Sequence, residues 1–159
     1  MNYHIFDEYE KRSGETDQEC MERVLRSICD SREEEGGSNH GVNDSMKAEF
    51  VCCSYEDKSV TLRYKAQQWM ANPAGTLHGG MISLAADMTM GVAGRYFKHS
   101  RVCVTAQLSV NFLRGILIGS EFDVTAKVTK MGRRAIFLSA EFVNLSDEST
   151  SATAAAVFM

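Results

Sequence analysis

No apolar run in this sequence approaches the roughly 20 residues that span a bilayer, so a membrane-embedded chain is not expected. The N-terminus, Met1-Asn2-Tyr3-His4, lacks a basic stretch leading into an apolar one, which argues against a secretory leader. Five cysteines (Cys20, Cys29, Cys52, Cys53 and Cys103) are an odd number without framework spacing. They are expected as reduced thiols in a cytoplasmic protein. The neighbours Cys52 and Cys53 would point to opposite faces of a strand and could not share a metal. The four histidines, His4, His40, His78 and His99, are scattered without ligand spacing, so no metal site is expected. Gly-x-Ser-x-Gly is absent, which excludes a serine nucleophile elbow. There is no internal repeat and no low-complexity tract.

What is present is ordinary in amount and uneven in placement. A chain of 159 residues can bury a core without disulfide staples. The net charge is −4, but residues 1–45 carry 5 Lys/Arg against 12 Asp/Glu and residues 46–159 carry 12 against 9. An acidic leader therefore precedes a mildly basic domain, giving expected units 1–45 and 46–159. Such a domain could hold a small polyanion, but it has no basic stripe of the kind that meets nucleic acid.

Thr16 and Glu19 form a capping-box pair, and Met21, Val24, Leu25 and Ile28 follow at helical spacing. Glu33-Glu34-Glu35 and Gly36-Gly37 should end that helix, with a polar linker to about Asp44. Alternation then takes over. Val60, Leu62, Tyr64 and Ala66 share one strand face, after a hairpin turn at Glu56-Asp57-Lys58. Val102, Val104, Ala106, Leu108, Val110 and Phe112 are expected on one face of a long strand, opposite Thr105, Gln107, Ser109 and Asn111. Phe122, Val124, Ala126 and Val128 repeat the pattern, as do Ile136, Leu138, Ala140 and Phe142. Gly132 stands between those two strands, where a tight connection would need positive φ. Residues 151–159 suit a closing strand, and 77–97 form the other helical stretch. Antiparallel strands with one long helix belong to the α+β class.

Chemistry is concentrated in Asn72-Pro73-Ala74-Gly75-Thr76-Leu77-His78-Gly79-Gly80 and the helix that follows. Glycines at a helix start expose first-turn N–H groups that have no partner within the helix and carry its positive dipole end. A developing oxyanion would be favoured there; tight packing is the other reading of the same pair. Along the helix, Met81, Ala85, Met88 and Val92 make an apolar stripe. Gly80, Ser83, Asp87, Gly91 and Gly94 make a second one of small residues around one carboxylate. Asp87 is the only charge between His78 and Arg95, so it should face a cleft or another chain rather than solvent. A cap or an arginine pair is its alternative.

His78 and Asp87 are about 13.5 Å apart along one helix. Asp87 would therefore not reach the amide donors of its own helix. Two copies packed antiparallel about a two-fold axis would set Asp87 of one beside Gly79 of the other, the small residues permitting close approach.

These residues resemble the phenylacetate-pathway-type (PaaI-like) hotdog thioesterases and the acyl-CoA hydrolases of the thioesterase superfamily. The resemblance rests on the segment 72–80, on Asp87, on the strand around Thr105, on Asn111-Phe112-Leu113-Arg114 with Gly119, and on Gly132-Arg133-Arg134. It covers roughly residues 46–159. It implies a hotdog fold, a curved antiparallel sheet wrapped around the central helix with a helix in front. The implied activity is hydrolysis of acyl-CoA, in a homodimer paired edge to edge or in a tetramer. Coenzyme A would be part of the substrate, and no cofactor is implied.

By the same resemblance, Gly79 would bind the thioester oxygen through its N–H, Asn72 would orient the carbonyl or the water, and His78 would shape the pocket. Asp87 of the partner chain would act as nucleophile or general base, and Thr105 would position the water. Arg114, Lys130, Arg133 and Arg134 could meet the nucleotide phosphates. A hotdog dimer that senses acyl-CoA without cleaving it, or an enoyl-thioester hydratase of the same fold, would share much of this pattern.

Overall fold

The computed structural model of the chain describes residues 9–34, 41–100 and 102–159. Its first helix, α1 (Asp17–Glu34), starts as the sequence pattern requires. The Glu19 N–H donates to Thr16 Oγ1 at 3.2 Å, and the Thr16 N–H donates back to Glu19 Oε2 at 2.8 Å. Met21, Val24 and Leu25 are buried with Cys20 and Cys29 beside them, and Ile28 packs at the margin. The expected glycine stop at Gly36-Gly37 lies outside the described residues. A one-turn helix, α2 (Val42–Ser45), leads into the sheet.

The sheet holds β1 (Glu49–Ser54), β2 (Ser59–Lys65), β3 (Thr105–Phe112), β4 (Glu121–Met131), β5 (Ile136–Asn144) and β6 (Thr150–Phe158). Their spatial order is β1-β2-β4-β5-β6-β3, antiparallel throughout. Between β2 and β3 lies α3 (Gly79–Lys98), preceded by a 3₁₀ turn at Gln68–Met70. The inward residues of β2, β4 and β5 are those the alternation names, and all are buried against α3. Phe122, Phe142 and Phe158 are at most 1% exposed, each contributing about 1.5–3 kcal/mol of burial. From β6 come Ala152, Ala154 and Ala156, small enough to let the helix lie close. This is the α+β hotdog arrangement, with α1 as the additional helix.

Two details depart from the alternation. In β3 the pairing with β6 slips between Thr105 and Gln107, so Ala106 forms a bulge. A bulge reverses the inside-outside parity of everything before it. Thr105 therefore shares the inner side with Leu108, and Val102 and Val104 are exposed rather than aligned with it. Gly132 is not a positive-φ residue; those glycines are Gly14, Gly75 and Gly119. Its N–H bonds to the Ala135 carbonyl at 2.8 Å, and a Cβ there would stand 3.1 Å from that same oxygen. Close backbone approach, not φ, is what calls for glycine at 132.

The two sheet edges differ. Gln18 of α1 covers β1: its Nε2 donates to the Cys53 carbonyl and its Oε1 accepts the Tyr55 N–H, both at 2.9 Å. No such cover lies over β3 among the described residues. Val102, Val104, Phe112 and Leu113 are exposed along or beside that edge, which is the kind of edge that invites strand pairing.

Candidate active site

The start of α3 is held by its approach loop. Asn72 Oδ1 accepts the N–H groups of Ala74 at 2.9 Å and Thr76 at 3.1 Å, while Nδ2 donates to Thr76 Oγ1 at 2.9 Å. Gly75, at φ 78°, closes that turn. The Leu77 N–H then bonds to the Ile116 carbonyl at 2.8 Å and the His78 N–H to the Met70 carbonyl at 2.9 Å. Asn72 is thus first a builder of the loop.

His78 is the N-cap, with an extended backbone. Its Nδ1 accepts the Gly80 N–H at 2.9 Å, and its carbonyl accepts those of Met81 and Ile82. The Gly79 N–H has no hydrogen-bond partner among the described residues, at the positive end of a 20-residue helix. Against Gly79 lies the Phe112 ring, close enough that a Cβ would stand 3.3 Å from Cζ. Asn72, Gly79, Ile82, Phe112 and Arg114 share the lining of a cleft of about 290 Å³.

Two turns further along α3, half-buried Asp87 accepts a hydrogen bond from Thr105 Oγ1 onto Oδ1 at 2.5 Å. Its other oxygen has no hydrogen-bond partner among the described residues. Thr105 reaches it because the Ala106 bulge turns the start of β3 inward. Among the described residues neither a helix cap nor an arginine occupies the carboxylate, and it lines a second cleft of about 290 Å³. Cys103 lines this cleft too, but burial pushes its thiol above the usual range and keeps it from being a thiolate nucleophile.

The structure brings Asp87 and Thr105 together, and separately gathers Asn72, His78 and Gly79. The two groups are about 12 Å apart along one helix. Two glycines of the small-residue stripe pack within the chain. Gly91 faces the Phe158 ring and Gly94 faces Cys103 Sγ and Ile136, all of the same chain. Both glycines let α3 lie close to its own sheet.

Nor do the cations form one patch. Arg114 pairs with Asp147 at 3.0 Å, beyond the end of β3. Lys130, Arg133 and Arg134 lie at the β4–β5 connection, at the opposite end of the sheet, where Lys98 Nζ donates to the Arg134 carbonyl at 3.2 Å. Sequence reasoning missed Arg95 and Asn43 in the Asp87 cleft and Phe112 against Gly79. Arg95 was open to discovery, being two helical turns from Asp87 on one face. Among the described residues no three His, Cys, Asp or Glu side chains converge as metal ligands, and no helix is long and apolar enough to cross a membrane.

A curved antiparallel sheet wrapped on one long helix is the hotdog fold. Residues 74–151 match the family model described as the thioesterase superfamily. The chain is 26% identical to mouse acyl-coenzyme A thioesterase 13 over 101 residues, covering 64% of this chain and 72% of that one. It spans 50% of the Xenopus laevis acyl-coenzyme A thioesterase THEM4, at 26% identity over 69% of this chain. The zebrafish thioesterase superfamily member 2 structure superposes with a TM-score of 0.71 at 22% identity, over 84% of this chain and 94% of that one. The E. coli PaaI protein from the phenylacetic acid degradation operon does so with a TM-score of 0.68 at 18% identity, over the same shares.

Proposed function

We propose that this protein hydrolyses acyl-CoA thioesters to free acid and coenzyme A, at sites each built from two subunits. The observation that carries the reading is the position of both half-sites along the uncovered edge strand. Asp87 lies by Thr105 at the start of β3, and Gly79 lies by Phe112 at its end. An edge strand that pairs antiparallel with its own copy sets each start beside the partner's end. Asp87 of one subunit then meets Gly79 of the other, twice per dimer.

The residue types suit thioester hydrolysis. Sulfur donates poorly into the carbonyl, which is therefore electrophilic and needs only polarisation and an activated nucleophile. The Gly79 N–H, already unpaired, receives the carbonyl oxygen and holds the oxyanion as it forms. Asp87, with Thr105 on one oxygen and the other free, takes a proton from the attacking water or attacks the carbonyl itself. The C–S bond breaks and the thiolate of coenzyme A leaves; where Asp87 attacked directly, water then hydrolyses the acyl–Asp87 anhydride to the free acid. His78 serves by holding Gly80 and so aiming the first turn.

Thiol release across a panel of acyl-CoAs is the test. The protein turns over at least one class, and Asp87→Asn loses about a hundredfold to ten-thousandfold in kcat while still binding substrate. Tight binding of acyl-CoA with no turnover would make this a sensor, and hydration of a 2-enoyl-CoA would make it a hydratase.

A further inference from the structure

The Asp87 cleft has a cationic far end. On α3 it is lined by Asp87, Met88, Gly91, Val92 and Arg95, with Phe158 behind and Asn43 of α2 beside it. Asp87 and Arg95 are two turns apart on one helix face, about 12 Å along the axis. Gly91 stands between them and has no side chain to divide the space. Among the described residues no carboxylate lies within ion-pair distance of Arg95. A cation in the last turn of a helix complements its dipole, but Lys98 of the same turn does that from outside the cleft. A site for a plain hydrocarbon tail would close with apolar side chains. Half-buried Arg95 and exposed Asn43, which share the lining of this cleft, offer instead the donor set that fits a carboxylate.

We propose that the acyl group taken here is short and carries a carboxylate at its far end, held by Arg95 with Asn43 beside it. The substrate class is then the half-thioesters of dicarboxylic acids. This rests on the thioesterase reading above and adds the specificity of the acyl end. Asp87 repels a second anion placed next to it, so the distal carboxylate must lie toward Arg95, which sets a minimum chain length. The cleft volume of about 290 Å³ is at the small end for ligand pockets, as a short acyl group requires.

The experiment compares thiol release from adipyl- and suberyl-CoA with release from hexanoyl- and octanoyl-CoA. Wild type favours the dicarboxylates by about tenfold to a hundredfold in kcat/KM. Arg95→Gln loses that preference through KM and keeps its rate on hexanoyl-CoA, which also reports that the variant is folded. Arg95→Lys keeps part of the preference. Equal loss on all four substrates would mean that Arg95 grips coenzyme A rather than the acyl end, and no change on any would leave it outside the site. Either result overturns the proposal while the hydrolase reading stands. No turnover of any thioester by wild type would sink both.

Discussion

Thr105→Val isolates one hydroxyl at the proposed site. Valine keeps the β-branched shape that fits β3 and removes only the Oγ1–H that donates to Asp87 Oδ1. A hydrogen bond to a charged group contributes about 1.5–3 kcal/mol. Here the carboxylate is half-buried beside an open cleft, so water can replace the donor and the cost to folding falls at the low end. The cost to catalysis does not fall with it, because a replacement water leaves the carboxylate free to rotate away from its working angle. Thiol-release kinetics should show kcat/KM down by about tenfold to a hundredfold, mostly in kcat. Thr105→Ser, which restores the donor, should recover most of it. If the valine variant works at the wild-type rate with its fold intact, Thr105 does not orient the carboxylate and the Ala106 bulge has no catalytic purpose.

Gly79→Ala brings a Cβ to 3.3 Å from the Phe112 ring. Because Phe112 is 57% exposed, the ring can yield, so the melting temperature should move little while kcat/KM falls roughly tenfold or more; unchanged kinetics would remove Gly79 from the oxyanion site. Acid should loosen the attachment of α1. The Arg23 guanidinium and the Arg12 N–H hold the Glu15 carboxyl down at about 2, below its ordinary value of about 4.5. A depressed carboxylate stabilises the fold above its ordinary value and loses that contribution as pH falls through its folded value. Amide protection factors in α1 should therefore fall between about pH 4.5 and pH 2, and Glu15→Gln should flatten that fall; an identical profile in the variant would contradict the assignment.

The fold was legible because its periodicities are unbroken where they matter. The inward residues of β2, β4 and β5 are buried as the alternation requires, and in the α1 stripe only Ile28 sits at the margin. The β3 face was misread because a bulge leaves no mark in a pattern of alternating residues: Ala106 looks like any other inward position until the β6 register shows the slip. Gly132 was misassigned because a glycine chosen for close backbone approach and one chosen for positive φ are the same letter. Of the candidate site, Asp87 was marked by its isolation among uncharged neighbours and Gly79 by its place at a helix start. Thr105 was reached only through the family resemblance and Phe112 was hidden, since both meet their partners across the sheet rather than along the chain. Arg114 and the Arg133-Arg134 pair were expected at different strand ends, and strand register sets those ends at opposite sides of the sheet.

The shared site is tested most directly by mixing two dead variants, Asp87→Asn and Gly79→Val, after co-refolding or co-expression. If each site draws its acid from one subunit and its amide from the other, a mixed dimer keeps one intact site and one doubly damaged site. Equal mixing should then restore about a quarter of wild-type thiol release, since about half of the dimers are mixed and each has one working site of two. No recovery in a mixture proven to contain mixed dimers would contradict a site built across subunits.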